Sequence, residues 1–302
     1  DYGAQLAAHF GLPYAYAYFF SEGRGVEEAL ALYRDNYRPS RNVAIRVTDA
    51  ALANADVKLV SITGLSNVIG VMPPLKEIID AAHKAGAKVC IDAAQLIGHC
   101  AIDVQTLDCD FLAFSGHKLY GPTGIGALYG KRALLEQMPP FLGGGMMIRE
   151  VTRTGFTPAD IPARFEAGTP PIAEAIGLKA AIDWLKEFSW EDRVSHEETL
   201  LTTALTELGT IEGLHLLGPR NAKDVRGCIS FTLDGVHPHD LTDLLGQKGF
   251  ALRAGHHCAQ PLHEHLGIPA STRLSVGIYN TEEEIKKLAP EIEEIKMKLR
   301  NR

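Results

Sequence analysis

The stretch DCDFLAFSGHKLYGPTGIGALYG, residues 108–130, indicates the fold class. Two short apolar runs, 110–115 and 124–130, are predicted to be buried strands. Lys118 follows a serine, a glycine and a histidine at the end of the first run. Burial at such a strand end would lower the pKa of a lysine and free its amine to attack an aldehyde. The stretch therefore predicts a sheet with a Schiff-base lysine at its edge.

Strands and helices alternate on the N-terminal side of this stretch. Residues 57–63 and 87–94 are predicted strands, and residues 74–86, with Pro at the start and Gly at the end, are a predicted helix. Strands separated by helices are typical of a mostly parallel sheet covered on both faces. Asp92 ends a strand at the edge where such sheets bind ligands, although a helix cap would explain it as well.

A smaller α+β domain is predicted towards the C-terminus. Residues 142–147 and 152–158 are expected to be loops, and residues 171–188 a helix that links the two regions. The predicted division is an atypical helical segment at 1–41, a large domain at 42–170, a linking helix at 171–190 and a small domain at 191–302. Within the small domain the expected helices are 192–208, 239–249 and 282–299, and the expected strands are 226–233, 250–255 and 272–279.

Composition excludes several classes of protein. The 302 residues have a net charge of -7 with no basic stripe, which argues against nucleic-acid binding. No apolar run is long enough to span a membrane, and no signal peptide is visible. The five cysteines contain no CxxC pair, which fits a reducing, cytoplasmic compartment. Cys90 and Cys228 lie in apolar runs and are expected in the core, whereas Cys258 lies among polar and small residues.

The segment RAGHHCAQP, residues 253–261, is a candidate metal or nucleophile site. On a strand, neighbouring side chains point to opposite faces, so His256, His257 and Cys258 would not converge on one ion. No second pair of ligands lies at the spacing of a zinc finger, and nothing else in the chain supports a papain-like hydrolase. The pattern therefore argues against a metal site and against a papain-like hydrolase, and the role of Cys258 depends on the rest of the chain.

Six motifs together resemble one family. They are SNVIGV, IDAAQ, DCDFLAFSGHKLYGPTGIGALYG, RFEAGTP, RAGHHCAQP and TRLSVGIYNTEEEI. They are similar to the pyridoxal-phosphate enzymes of the class V aminotransferase fold, and within that group to the Suf-type cysteine desulfurases and selenocysteine lyases. The resemblance covers about four fifths of the chain, from about Leu52 to Leu299. It implies an α/β fold of the fold-type-I transferases, with an incomplete large domain and a small C-terminal domain.

The resemblance implies roles for the residues around the expected cofactor, pyridoxal 5'-phosphate. Lys118 would form the Schiff base and move protons, and Asp92 would pair with the pyridine nitrogen. Gln95 would bond the phenolic oxygen of the ring. Ser115 and His117 would bind the cofactor phosphate.

Roles also follow for the substrate and for a second subunit. Thr169 would reach a phosphate across a homodimer interface. Asn67 and Arg273 would bind the carboxylate of L-cysteine or L-selenocysteine, because arginine offers that group a planar pair of donors. Cys258 would take the sulfur as a persulfide and pass it to a small acceptor protein for iron–sulfur cluster assembly. A cationic or polar setting, expected from His256, His257 and Arg253, would favour its thiolate.

The N-terminal part departs from the family pattern. The Thr-containing phosphate loop and the histidine that stacks on the cofactor ring are not found before Asn67, so cofactor binding is expected to be weaker. Residues 1–40 resemble a piece of the luciferase-like flavin monooxygenases, or are two amphipathic helices. Two alternatives to a desulfurase stay open: another reaction of the same family such as transamination, and a truncated or chimeric chain without activity.

Overall fold

A computed structural model describes residues 14–16, 52–53 and 57–300. The predicted helical segment 1–41 lies outside these residues, except for a short strand, β1, Tyr14–Tyr16. Residues 1–40, which were compared with the flavin monooxygenases, also lie outside the described residues except for β1. Within the described ranges, no helix combines the length and the apolar character that crossing a membrane requires.

The first sheet has five strands in the order β1-β2-β3-β4-β5. Strands β1 to β4 run parallel to their neighbours, and β5 pairs antiparallel with β4. This confirms the predicted mostly parallel sheet. The side chains of β2 and β3 are largely buried, as expected when helices cover both faces. The bounds are Leu59–Thr63 for β2, Lys88–Asp92 for β3, Phe111–Ser115 for β4 and Gly126–Gly130 for β5.

Helix α1, Leu75–Lys84, connects β2 to β3 and confirms the helix predicted there. Its buried residues Ile78, Ile79 and Ala82 recur at helical spacing and so form one apolar face. The chain then turns at Gly86, whose φ of +82° is a left-handed conformation that glycine adopts without strain. Three shorter helices follow along the chain: α2, Leu96–His99; α3, Val104–Leu107; and α4, Arg132–Gln137.

A hairpin and a long helix join the two domains. Strands β6, Ile148–Val151, and β7, Phe156–Pro158, pair antiparallel. The prediction of a loop is therefore wrong for β7, and β6 is a strand that the sequence did not indicate. Most of their side chains are exposed, and an exposed two-stranded pair lacks the apolar alternation that would predict strands. Helix α5, Ile172–Leu185, confirms that a helix lies at the predicted position.

The second domain has a four-stranded antiparallel sheet in the order β10-β11-β9-β8. It confirms the predicted α+β domain and adds one strand, β8, which the sequence did not indicate. Its helices are α6, Trp190–Gly209; α7, Pro238–Gln247; α8, Gln260–His265; and α9, Glu282–Arg300. Its strands are β8, Leu214–Leu217; β9, Cys228–Leu233; β10, Arg253–Gly255; and β11, Ser271–Ser275.

The core of the second domain lies between this sheet and helices α6, α7 and α9. Leu200 on α6, Phe231 on β9, Leu245 on α7 and Ile292 on α9 are all completely buried in one cluster. Burying a large apolar side chain stabilises a fold by roughly 1.5–3 kcal/mol. This core therefore stabilises the sheet that contains β10 and β11, from which the loops of the candidate site extend.

Candidate active site

Several predicted site residues lie at one edge of the first sheet. Asp92 ends β3 and Ser115 ends the neighbouring parallel strand β4. The Asp92 Oδ1 atom accepts a hydrogen bond of 2.9 Å from the backbone N–H of Ala94. A single 3-10 turn, Gly116–Lys118, continues from β4 and carries His117 and Lys118. The structure thus gathers a carboxylate, a hydroxyl, an imidazole and an amine along this edge.

Lys118 is exposed, so the prediction that it is buried is wrong for the part of the chain that the structure describes. Helix α2 packs closely on its backbone, because a Cβ atom on Gly98 would lie 2.9 Å from the Lys118 carbonyl oxygen. No hydrogen bond or ion pair within the described ranges engages its amine. The lysine backbone is therefore held while the amine stays available.

Gln95 lies near this edge in the chain, whereas Thr169 lies on a separate loop. Gln95 is half-buried and directly precedes α2, three residues after Asp92. Thr169 is exposed on the loop before α5 and follows Gly168, whose φ is +90°. Among the described contacts, none joins Thr169 to the edge that carries Lys118. The role predicted for Thr169 across a dimer interface therefore remains a prediction.

Asn67, His257 and Arg273 are joined by hydrogen bonds, although they are far apart in sequence. The side-chain amide of Asn67 donates to the His257 carbonyl oxygen. Arg273 Nη1 donates to the Asn67 carbonyl oxygen at 2.9 Å. Burial lowers the pKa of the Arg273 guanidinium, and its Nε is buried without a partner in the residues described. A buried donor without an acceptor is costly, so this site favours an anionic ligand.

The second domain fixes the loop that carries Asn67. Ser230 Oγ on β9 donates to the Val68 carbonyl oxygen at 2.6 Å, and the Arg226 N–H donates to the Gly70 carbonyl oxygen at 2.8 Å. Gly70 has a φ of +65°, and a Cβ atom there would lie 2.7 Å from two carbonyl oxygens of the 226–228 segment. Only glycine allows this close approach without displacing the backbone.

Cys258 lies in a turn and not on a strand. Strand β10 ends at Gly255, and both His257 and Cys258 have left-handed backbones, with φ values of 52° and 64°. The assumed alternation of side chains across a strand is therefore wrong for these residues. Cys258 is exposed, and Arg253 Nη2 lies 3.7 Å from its Sγ atom, at hydrogen-bonding distance for sulfur. Over the described ranges, no cluster of three or more His, Cys, Asp or Glu residues could hold a metal ion.

His257 does not supply the positive charge that was expected near Cys258. Burial, followed by the charge of Arg273, lowers the pKa of His257 to about 4. The imidazole is therefore neutral at neutral pH. The permanent cations near Cys258 are the guanidinium groups of Arg253 and Arg273.

The other four cysteines are less exposed than Cys258. Cys90 and Cys228 are buried, as predicted, and burial raises the pKa of their thiols to about 12 and about 11. Cys100 and Cys109 also have a pKa raised to about 11, again mainly by burial. Because the thiolate is the reactive form, these four thiols are poor nucleophiles at neutral pH.

Sequence reasoning missed Tyr120, Ser271 and the part played by His263. The Tyr120 hydroxyl accepts a hydrogen bond of 3.1 Å from the N–H of Ile278, which ties the loop after Lys118 to the second domain. Ser271 Oγ contacts both His257 and His263. Ser271 shares a face of β11 with Arg273, two residues later, and this period-two signal could have identified it.

The comparisons with known proteins all match the chain to one family. The family model described as aminotransferase class-V matches residues 37–288. The match therefore begins within the stretch 1–40, for which two interpretations were left open. A cysteine desulfurase of Haloferax volcanii is 47% identical over 242 residues, which is 80% of this chain and 57% of that protein.

Solved structures show the same likeness. The cysteine desulfurase CsdA of Escherichia coli has a TM-score of 0.81 and 40% identity, over 86% of this chain and 64% of that one. The protein C-DES, solved with glycine covalently linked to its pyridoxal-phosphate cofactor, has a TM-score of 0.72 and 25% identity, over 82% of this chain and 63% of that one. The chain thus spans roughly three fifths of the length of the proteins it matches.

Proposed function

The chain belongs to the aminotransferase class-V family, and on that premise we propose that it carries the principal catalytic residues of a pyridoxal-phosphate-dependent cysteine desulfurase. The observation that carries the proposal is the exposed Cys258, whose Sγ atom lies 3.7 Å from Arg253 Nη2. The same domain contains Arg273, whose buried Nε has no hydrogen-bond acceptor among the described residues. Transfer of sulfur from an amino acid needs these two groups: a thiol that accepts the sulfur and a cation that binds the carboxylate.

The residues at the edge of the first sheet fit pyridoxal phosphate. Lys118 presents an amine with no partner among the described residues, which suits attachment to the cofactor aldehyde. Asp92 keeps its Oδ2 atom free of hydrogen bonds within those residues, so it can accept one from a protonated ring nitrogen. Ser115 and His117 supply donors for a phosphate. When bound, the cofactor supplies an electron sink for the carbon atoms of the substrate.

Arg273 and Asn67 are proposed to bind the substrate carboxylate. Arg273 already uses Nη1 to hold the Asn67 backbone, which leaves Nε as a buried donor directed by a fixed guanidinium plane. A charge-assisted hydrogen bond from an arginine to a carboxylate is about twice as strong as a neutral one. The bond between Asn67 and the His257 carbonyl oxygen supports a carboxylate site next to the turn of Cys258.

Cys258 is proposed to take the sulfur of L-cysteine. A bond forms between the Cys258 sulfur and the substrate sulfur while the carbon–sulfur bond of the substrate breaks. The carbon keeps the electron pair of the broken bond and gains a proton, so the products are alanine and a persulfide on Cys258. The guanidinium of Arg253 stabilises the attacking thiolate. L-Selenocysteine is a second proposed substrate, since its selenium atom occupies the same position.

We further propose that the protein works as a homodimer in a reducing compartment, the cytoplasm, and passes its sulfur to a small acceptor protein. Helix α5 exposes Ile172 and Ile176 by 60% and 67%, close to the exposed Thr169, and such an apolar surface supports a protein interface. All five cysteines are free, which supports a reducing environment. Exposure of Cys258 supports access by an acceptor.

A cofactor titration combined with product analysis tests the proposal. Addition of pyridoxal phosphate is expected to produce a visible absorbance band that is lost in Lys118→Ala. L-Cysteine is then expected to yield alanine, and Cys258→Ala is expected to abolish that yield while the absorbance band remains. Transamination of L-cysteine in place of alanine release would support the other reaction of the family. Absence of the band from the wild-type protein would support the chain without activity.

A further inference from the structure

Three buried side chains form a connected group beneath the turn of Cys258. His257 Nε2 lies 3.0 Å from Ser271 Oγ, and His263 Nε2 lies 2.9 Å from the same oxygen. All three residues are at most 2% exposed. The sulfur chemistry proposed above does not use these side chains, although His257 directly precedes its nucleophile.

The hydrogen bonds assign the protons of this group. His263 Nδ1 lies 3.0 Å from the Ala259 carbonyl oxygen, which can only accept, so Nδ1 carries the proton. In the neutral ring Nε2 is then an acceptor, and it takes the hydroxyl proton of Ser271. The Ser271 oxygen is left to accept from Nε2–H of His257. Each bond then has one donor and one acceptor, and the two histidines have opposite tautomers.

This order of donors requires both rings to be neutral. A proton added to His263 would give Ser271 Oγ two donors and leave its own hydroxyl proton without an acceptor. Burial and the guanidinium groups of Arg273 and Arg253 oppose a positive charge on His257. The His256 ring packs on His263 with centroids 5.5 Å apart. The remaining atom, His257 Nδ1, is a buried lone pair with no partner in the residues described.

We propose that His257, Ser271 and His263 form a positioning relay that holds Cys258 in its left-handed turn. The relay makes hydrogen bonds to the chain on both sides of Cys258. Ser271 bonds the His257 side chain before it, and His263 bonds the Ala259 carbonyl oxygen after it. Residues other than glycine rarely adopt a left-handed backbone, and two in succession persist only when their surroundings fix them.

The relay also connects the nucleophile to the carboxylate site. Ser271 and Arg273 are two residues apart on β11 and so point to the same face of the sheet. One rigid strand thereby sets the distance between the guanidinium and the turn of Cys258. This inference rests on the proposed function for its catalytic consequence, but not for the arrangement of protons, which belongs to the chain itself.

Nuclear magnetic resonance of the histidine ring nitrogens tests the relay without any substitution. The expected result is a neutral His257 protonated on Nε2 and a neutral His263 protonated on Nδ1 at pH 7. Ser271→Ala is expected to give both rings mixed tautomers. Equal tautomers for the two histidines in the wild-type protein, or spectra unchanged by Ser271→Ala, would overturn the relay.

Two rate measurements test the positioning role. Ser271→Ala is expected to slow alkylation of Cys258 by iodoacetamide at pH 7 about tenfold, since the turn then no longer holds the thiol beside the guanidinium of Arg253. It is also expected to lower kcat for alanine release about tenfold while KM for L-cysteine stays within about twofold. The matched control is Ser61→Ala, which removes a buried serine hydroxyl from the other sheet and is expected to leave both rates unchanged.

The outcomes separate this inference from the proposed function. Wild-type rates of alkylation and alanine release in Ser271→Ala would refute the positioning role. If the wild-type protein released no alanine, the proposed function would fail, and the alkylation rates would still decide whether the relay positions Cys258.

Discussion

At the residue scale, Arg273 combines two tasks in one side chain. Its Nη1 holds the Asn67 backbone, and its Nε is a buried donor without an acceptor in the described residues. Lysine carries the same charge but lacks the planar fork that allows one side chain to do both. We expect Arg273→Lys to raise KM for L-cysteine by roughly 10- to 100-fold, the loss of one charge-assisted bond.

Steady-state kinetics with L-cysteine measure this change. The matched control is Arg226→Lys, which alters another half-buried arginine of the same domain, paired with Glu198, and is expected to leave KM unchanged. An equal KM for Arg273→Lys and the wild-type protein would show that the carboxylate binds elsewhere.

His257 makes a separate prediction about the pH dependence of stability. Its pKa is about 4 in the folded chain and ordinarily about 6.5, so the unfolded state binds a proton that the folded state does not. Stability is therefore unaffected above pH 6.5, and it falls as the pH is lowered from about 6.5 towards 4. The full change is on the order of 3 kcal/mol.

Urea unfolding between pH 7 and about pH 5 measures this loss before the carboxylates of the unfolded chain are protonated. The variant His257→Gln cannot titrate and is expected to show a flatter dependence than the wild-type protein over this range. The same slope in both proteins would mean that His257 is protonated in the folded state.

At the scale of elements, the loop of residues 66–71 depends on its contact with β9. Gly70→Ala would place a Cβ atom 2.7 Å from two backbone oxygens at a φ of +65°. Gly235 has a similar φ, +73°, but a Cβ atom there would meet nothing within 4 Å. We expect Gly70→Ala to destabilise the fold by roughly 2–4 kcal/mol and Gly235→Ala by about 1 kcal/mol, since only the first adds a clash to the backbone strain.

Thermal and urea unfolding compare the two glycine variants. Gly70→Ala is also expected to raise KM for L-cysteine, because the displaced loop carries Asn67. If the two variants lost the same stability, the contact between this loop and the second domain would not be rigid.

The elements that could be predicted from sequence are those whose pattern is local. Helix α1 and strands β2 to β4 have clear apolar periodicity and glycine or proline at their ends, and the structure has them where they were expected. Strand β8 was missed, and so was the hairpin of β6 and β7, because short strands have few residues from which a period can be read.

The parts of the site that could not be predicted depend on tertiary packing. The left-handed turn at His257 and Cys258 has no glycine to indicate it, so its residues were assigned to a strand. The neutrality of His257 depends on burial and on Arg273, which approaches from another strand. The exposure of Lys118 depends on what covers the sheet edge, and a local motif does not contain that information.

At the scale of the whole molecule, one of five thiols stands apart. Cys258 is exposed beside a guanidinium, whereas burial raises the pKa of the other four to about 11 or 12. We expect a small excess of iodoacetamide at pH 7 to alkylate Cys258 first, since the alkylation rate follows the thiolate fraction. Peptide mass spectrometry locates the label, with Cys258→Ser as the unlabelled control. Faster labelling of any other cysteine would contradict this arrangement.

The two domains together produce the proposed chemistry. The first sheet supplies Asp92 and Lys118, and the second domain supplies Arg273 and Cys258. Hydrogen bonds between the domains keep them in register: Glu197 accepts from His99 Nδ1 at 2.6 Å, and the Arg226 N–H donates to the Gly70 carbonyl oxygen at 2.8 Å. The proposed reaction therefore depends on a fixed relation between a cofactor edge in one domain and a nucleophile in the other.

Mass spectrometry of Cys258 after a single turnover tests this account most directly. The protein is loaded with pyridoxal phosphate, mixed with one equivalent of L-cysteine, and digested without reductant. The account predicts a mass increase of one sulfur atom on the Cys258 peptide, in the same amount as the alanine released. Lys118→Ala should show neither product. Alanine formed without added sulfur on Cys258, or at full rate in Cys258→Ala, would contradict the account.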